Sequence, residues 1–267
     1  MATATNRPLA VITGASAGIG FELARQCVEH GFDAIVCAED RRIEDAAELL
    51  RDAGTIVEPV QADLATFEGN EALVRAIRAT GQPVEALLLN AGIGVNGAFI
   101  ATSLEEELRV IGLNCASVVH VAKRVVPDMV AHGRGHVLIT ASVASTAPEP
   151  YLAVYGATKA FDLSFAEALR EELKDTGVTV TALQPGATDT EFFARAAMQD
   201  TLVGQAKKDS PAEVAKQGFD AMMKGKDSVI AGSLKSKLQG LAHEILPETA
   251  KARAQATLNK PRHGAKP

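Results

Sequence analysis

Tyr155 and Lys159 stand four residues apart in the run Tyr155-Gly-Ala-Thr-Lys159, a spacing that puts both side chains on one helix face. A phenol can give up or take a proton. An ammonium beside it favours the phenolate and lowers its pKa from about 10. Ser142, thirteen residues before Tyr155, adds a hydroxyl that can bond an oxygen, and Asn114 adds an amide. A lone Tyr/Lys pair is usually a solvated surface feature. Here its potential partners fall at suggestive places. Ser142 lies just after one apolar β-branched run, Asn90-Ala91-Gly92 just after another, and Asn114 in a long helical stretch.

The elements that must position these residues are legible as alternating runs. Strands are expected at Leu9–Thr13, Ala34–Ala38, Ile56–Gln61, Ala86–Leu89, His136–Thr140, Val178–Leu183 and Ser228–Ala231. They are almost continuously apolar, as in a parallel sheet covered on both faces. Helices are expected at Ile19–His30, Arg41–Ala53, Phe67–Thr80, Leu104–His132 (with a kink or break at Pro127) and Ala157–Thr176, the last ended by Gly177. Repeated β-α-β units predict one α/β domain: an open, doubly wound parallel sheet of about seven strands with helices on both faces. The carboxyl ends of parallel strands border the ligand crevice of such a sheet, which would bring the segments after those strands to one side. Residues 191–210 break the rhythm and are expected to form a lid, and the polar, basic tail Asn259–Pro267 to fray.

Composition narrows the function classes. With 267 residues, 47% hydrophobic and 22% charged, the chain can build a full core. A net charge of -6 disfavours binding nucleic acid through phosphates, and aromatics at 4% with no tryptophan disfavour stacking platforms. Cys27, Cys37 and Cys115 are odd in number and widely spaced, which suggests neither a disulfide framework nor a zinc site and fits a reducing, cytoplasmic compartment. The histidines have no metal-ligand spacing. The N-terminus has no apolar core of a secretory signal. The long stretch near Val118–Val130 is interrupted by Lys123, Arg124 and Asp128, so no membrane span is expected.

The first expected strand runs into Gly14-Ala-Ser16-Ala17-Gly18-Ile19-Gly20 and then into a helix. Gly14 permits the tight turn, Gly18 lets backbone approach a pyrophosphate, and Gly20 permits close helix–sheet packing. The helix N-terminus then offers unpaired N–H groups to the anion. The spacing departs from the usual G-x-G-x-x-G.

Taken together, Thr13–Gly20, Asp63-Leu64, Asn90-Ala91-Gly92, Asn114, Ser142, Tyr155-Gly-Ala-Thr-Lys159 and Pro185-Gly186 resemble the short-chain dehydrogenase/reductase family, in its short branch rather than its extended, epimerase-rich one. The resemblance covers roughly residues 8 to 232 and implies a Rossmann-type fold and an NAD(P)-dependent enzyme. It implies that Tyr155 is the acid/base acting on an alcohol or carbonyl oxygen, that Ser142 bonds that oxygen, and that Lys159 holds the nicotinamide ribose. Asn114 would anchor a water linking Lys159 to solvent. Asp63 would bind the adenine amino group beside the Leu64 backbone, and Asn90, Ala91 and Gly92 would line the adenosine ribose. Pro185-Gly186-Ala-Thr188-Asp-Thr190 resembles the nicotinamide-side loop, with Thr188 where an apolar residue is usual. In the family the counterparts of Leu104–His132 and Ala157–Thr176 pair between subunits. A homo-oligomer is therefore expected, a tetramer before a dimer.

Glu39, followed by Asp40, falls where an acidic residue would bind the ribose 2′-OH, and no Lys or Arg stands in the glycine turn, so NAD is expected over NADP. Arg41 and Arg42 are the counterweight, since either could reach a 2′-phosphate. Val95, Ala144, Pro148, Tyr151, Phe192, Phe193, Met198 and Leu202 are candidate substrate contacts and suggest an apolar or acyl-type ketone or secondary alcohol. Lys207 and Lys208 could attract an anionic carrier, or simply be solvated. Two other readings remain open: a catalytically silent NAD(P)-binding regulator, and a sugar-nucleotide epimerase or dehydratase on the same fold.

Overall fold

Runs such as Leu9-Ala-Val-Ile-Thr13 have no polar face, so they are stable as strands only where helices cover both sides of a sheet. Every residue of this run is buried. The computed structural model describes residues 7–51, 54–233, 236 and 247–262. Among these, seven strands form one sheet: β1 (Leu9–Thr13), β2 (Asp33–Ala38), β3 (Val57–Gln61), β4 (Val84–Leu89), β5 (Gly135–Thr140), β6 (Val178–Pro185) and β7 (Ser228–Ala231). Their order is β3-β2-β1-β4-β5-β6-β7, and every pairing is parallel. The winding direction reverses between β1 and β4, and a crevice opens at such a point beyond the strand ends.

The helices are α1 (Gly18–Glu29), α2 (Arg42–Leu50), α3 (Phe67–Ala79), α4 (Leu104–Ile111), α5 (Ser117–His132), α6 (Ala153–Leu173), α7 (Phe192–Arg195), α8 (Leu202–Gln205), α9 (Pro211–Met223) and α10 (Glu248–Asn259). Alternate strand residues feed two cores. Val11, Leu87 and Ile139 pack with Leu73 of α3, Val121 and Met129 of α5 and Ala166 of α6. Ile12, Leu88 and Leu138 pack with Leu23 of α1, Ile43 of α2 and Phe219 of α9. Each fully buried large aliphatic side chain contributes about 1.5–3 kcal/mol, so the strand ends carrying the site rest on a rigid base.

The structure revises two expectations. The long helix is not broken at Pro127; α5 runs through it, because Pro127 and Lys123 lie on the exposed face, where a carbonyl without its N–H partner meets water. The irregularity lies earlier, in a π-helical turn at Gly112–Ala116 that carries Asn114. The whole stretch Leu104–His132 is long and apolar enough to cross a membrane by length and composition, and half of its most apolar window is buried in the fold. Asn259 does not begin a frayed tail; it ends α10 and is buried. The expected lid contains α7 and α8, and Ala187, Asp189 and Asp209 close its base through backbone hydrogen bonds. The expected helix end at Ala53 and the tail beyond Arg262 lie outside the described residues.

Candidate active site

The floor of the crevice is the turn from β1 to α1. Gly14 and Gly18 sit at φ +70 and +60, a region L side chains rarely adopt. A Cβ on Gly14 would stand 2.8 Å from Ala91 Cα, and one on Gly18 2.9 Å from Thr190 Cγ2. The turn is therefore as narrow as backbone alone allows. No side chain caps the N-terminus of α1 and no acidic residue occupies its first turn, which leaves its first N–H groups directed at the crevice for an anion. Asn90 ties the strand ends together: its Nδ2 donates to Thr13 O at 3.2 Å, and its Oδ1 accepts from Thr140 Oγ1 at 3.2 Å.

Ser142 follows β5 directly and opens a short 3-10 turn, Val143–Thr146, with its hydroxyl accepting from Ala144 N at 3.1 Å. Ser145 accepts from Ser142 N and donates to Lys159 O at 2.8 Å, locking the serine segment to α6. Tyr155 and Lys159 lie in the first two turns of α6. Ser142 and Tyr155 both line the crevice, and the Ser142 hydroxyl is close enough to favour the ionised phenol. Lys159 Nζ is buried and donates to Thr140 O at 2.7 Å and to Asp162 Oδ2 at 2.9 Å. Burial works against the ammonium, but the Asp162 carboxylate and the neighbouring Tyr155 outweigh it and hold Lys159 charged.

The expected lowering of Tyr155 by Lys159 is not the net result. Burial pushes the phenol above its ordinary value. Lys159 and the Ser142 hydroxyl pull it down, while Glu149 and Asp162 push it up again. Asn114 lies in the π-helical turn, behind the segment that follows β4. It is fully buried, its Oδ1 accepts from Ile93 N, and its Nδ2 donates to Ile93 O and Thr158 Oγ1. Both amide hydrogens are taken, so the side chain braces the segment after β4.

Beside the ends of β2 and β3, Arg109 of α4 joins two of the expected carboxylates. It donates to Glu39 Oε2 at 2.6 Å and to Asp63 Oδ2 at 2.8 Å. A second cluster links the turn after β2 to the lid: Arg42 bonds Asp40 and Glu191, and Arg195 bonds the same two carboxylates. These pairs are partly exposed and individually weak. Ser16 Oγ donates to Asp40 Oδ2 at 3.3 Å.

The lid brings apolar side chains over the tyrosine. The Phe192 ring lies 5.0 Å from that of Tyr155, and Phe193, Ala196 and Met198 cluster with Leu152. Glu149 is buried beside them. Its two oxygens accept from Gln255 Nε2 at 2.7 Å and Asn259 Nδ2 at 2.6 Å, both on α10. Lys208 donates to Gly204 O and sits over the Phe193 ring at 4.9 Å.

A cavity of about 400 Å³ runs through these parts. It is lined by every glycine-turn residue named above from Gly14 and Ser16 to Gly20, by Glu39, Asp40, Asp63, Leu64, Asn90, Ala91 and Gly92, by Ser142, Tyr155 and Lys159, and by Pro185, Gly186, Thr188 and Thr190. Asn114 stands behind Gly92. Of the candidate substrate contacts, Ala144, Phe192, Phe193 and Met198 line it. Val95, Pro148, Tyr151 and Leu202 do not, and Leu152, Val203 and Leu258 take their place. Lys207 lines it, whereas Arg41 does not. Sequence reasoning missed Asp162, Glu149, Arg109 and the α10 amides. Asp162 had a usable signal, an acid one helical turn beyond Lys159; the others meet the site only through tertiary packing.

Residues 8–201 match the family model described as short chain dehydrogenase. The NADP-dependent 3-hydroxy acid dehydrogenase YdfG of Salmonella typhi is 35% identical over 187 residues, which cover 69% of this chain and 74% of that one. Other relatives are longer: the chain spans 15% of the length of glycine betaine reductase ATRR of Emericella nidulans and 32% of that of EphD of Mycobacterium tuberculosis. A short-chain dehydrogenase from Sphingobium yanoikuyae in complex with NADPH superposes with TM-score 0.79 at 29% identity, covering 97% of this chain and 98% of that one. A 3-ketoacyl-(acyl-carrier-protein) reductase from Brucella melitensis complexed with NADH gives 0.75 at 26% identity, covering 86% and 98%. A family match that spans the sheet, the glycine turn and the tyrosine–lysine helix, together with this superposition, makes the chain a member of the short-chain dehydrogenase family of NAD(P)-dependent oxidoreductases.

Proposed function

We propose that the protein interconverts a secondary alcohol and a ketone, with Tyr155 as the acid/base. The observation that carries this reading is that Ser142, Tyr155 and Lys159 line one largely apolar cavity together with the glycine turn, Tyr155 and Lys159 on the same helix. The nicotinamide, when bound, supplies or accepts the hydride. The residues fit that group: a glycine turn with no room for a Cβ and an uncapped helix N-terminus suit a pyrophosphate. Lys159 has one N–H left beyond Thr140 and Asp162, available to a ribose hydroxyl.

In the reductive direction Ser142 and Tyr155 hold the carbonyl oxygen, and Tyr155 passes its proton to it as negative charge develops there. In the oxidative direction the tyrosinate takes the proton from the alcohol. Phe192, Phe193 and Met198 keep water away from the reacting atoms. The cavity's apolar lining favours an apolar or acyl-type substrate. Asp63, Asn90 and Gly92 would line the adenosine, and Pro185, Gly186, Thr188 and Thr190 the nicotinamide.

NAD is the preferred cofactor in this reading. Glu39 and Asp40 lie at the end of β2, and the nearby Arg42, Arg109 and Arg195 are each already paired with carboxylates. The protein works as a homo-oligomer, and its three free cysteines fit a reducing cytoplasm. A panel of ketones and secondary alcohols, read by nicotinamide absorbance with each cofactor, tests the reading. Turnover of an apolar member with NAD(H) supports it. Binding of cofactor with no turnover on any member would favour the silent regulator instead.

A further inference from the structure

Asp162 lies one turn beyond Lys159 in α6, is 1% exposed and does not line the cavity. Its Oδ2 accepts from Lys159 Nζ at 2.9 Å, while Oδ1 is buried with no hydrogen-bond partner among the described residues. The carboxylate is therefore compensated chiefly by one ammonium, the same ammonium whose charge would draw the proton off Tyr155. Two fixed acceptors, Asp162 Oδ2 and Thr140 O, hold that ammonium in place.

Resting on the reading of Tyr155 as acid/base, we infer that Asp162 is a positioning residue for proton transfer: by binding Lys159 it offsets the lysine's charge, keeps Tyr155 in its protonated, donor form at neutral pH, and suits the site to carbonyl reduction. The charges of the three groups set this balance. With Asp162 ionised, the Lys159–Asp162 pair is close to neutral, and ionising Tyr155 adds a net negative charge in a buried place. Without that carboxylate, ionised Tyr155 forms a neutral pair with Lys159. The other groups facing this pair are Ser142 after β5, Glu149 in the loop before α6 and Cys115 of the π-helical turn, whose thiol is pushed up to about 11 by burial and by Asp162. Asp162 touches neither substrate nor cofactor, so its effect passes through Lys159.

The chain contains two tyrosines and no tryptophan. In Tyr151→Phe, phenolate absorbance therefore reports Tyr155 alone, with no ligand needed. The titration is followed up to the pH at which far-ultraviolet ellipticity changes. Tyr151→Phe should titrate above the ordinary tyrosine value of about 10, or remain protonated to the end of that range. Adding Asp162→Asn, which keeps the shape and a hydrogen-bond acceptor, should bring the midpoint down by about one unit, a tenfold gain in phenolate. An unchanged or higher midpoint overturns the inference. If Asp162→Asn does not fold, the Tyr151→Phe value decides alone: a midpoint below the ordinary value overturns it. A Tyr155→Phe enzyme that keeps its activity would reject the catalytic reading without altering this titration, so the two failures are distinguishable.

Discussion

Asn259 donates a 2.6 Å hydrogen bond to the buried carboxylate of Glu149 from 110 residues away, and Gln255, one turn earlier in α10, donates to its other oxygen at 2.7 Å. The last described helix is thereby fastened over the substrate end of the cavity. Burial raises Glu149 from 4.5 to about 7, with the Asn259 and Gln255 hydrogen bonds working in the opposite direction. A carboxyl whose value is raised by folding costs stability when it ionises in the fold. The cost is absent below about pH 4.5, grows through the interval and is complete above about pH 7, on the order of 3 kcal/mol. Glu149→Gln has no charge to bury, and the Asn259 amide can turn to present its oxygen to the new side chain. Thermal unfolding from about pH 4.5 to about pH 8 should show the variant gaining on the wild type as pH rises. A difference that does not depend on pH would count against a buried, ionising Glu149.

The cofactor preference turns on Glu39 and its partner Arg109. Glu39→Ala removes the acceptor for the ribose hydroxyls and releases one bond of Arg109, which is then free to face a 2′-phosphate. NADH affinity should fall by about tenfold, the range for one hydrogen bond to a charged group, while NADPH is penalised less or gains. Arg109→Gln in the same background should cancel the gain for NADPH. Titration with both reduced cofactors at fixed ionic strength checks this. Tighter wild-type binding of NADPH than NADH would reject the NAD preference and leave the oxidoreductase reading intact.

Leu104, Leu108 and Ile111 lie at i, i+4 and i+7 on α4 and are exposed, as are Phe161 on α6 and Ile100 just before α4. Left in water, this apolar surface would be unusual for a monomer. Light scattering at micromolar concentration should therefore show an oligomer. Leu108→Glu with Phe161→Glu should move it to smaller species without loss of helicity. A wild-type monomer would contradict the subunit pairing.

The sheet was legible because its central strands are apolar on both faces, and Leu9–Thr13 was placed to the residue. The glycine turn and the Tyr155–Lys159 pair were legible because close approach and helical spacing restrict residue type. The π-helical turn at Asn114 was not, since Gly-Leu-Asn-Cys-Ala reads as ordinary helix and its geometry is set by packing on the neighbouring segments. Helix α10 was missed because its docking face is polar: Lys251, Gln255 and Asn259 stand at i, i+4 and i+8, a helical spacing that carries no apolar stripe.

In the proposed reaction Tyr155 moves the proton while the cofactor moves the hydride. Tyr155→Phe keeps the ring against Phe192 and loses only the hydroxyl. Turnover and reduced-cofactor Kd, measured side by side for wild type and Tyr155→Phe on the best substrate from the panel, test it most directly. Tyr155→Phe should leave the Kd nearly unchanged and lower turnover by at least about a hundredfold. A variant that retains most of the wild-type turnover would contradict it.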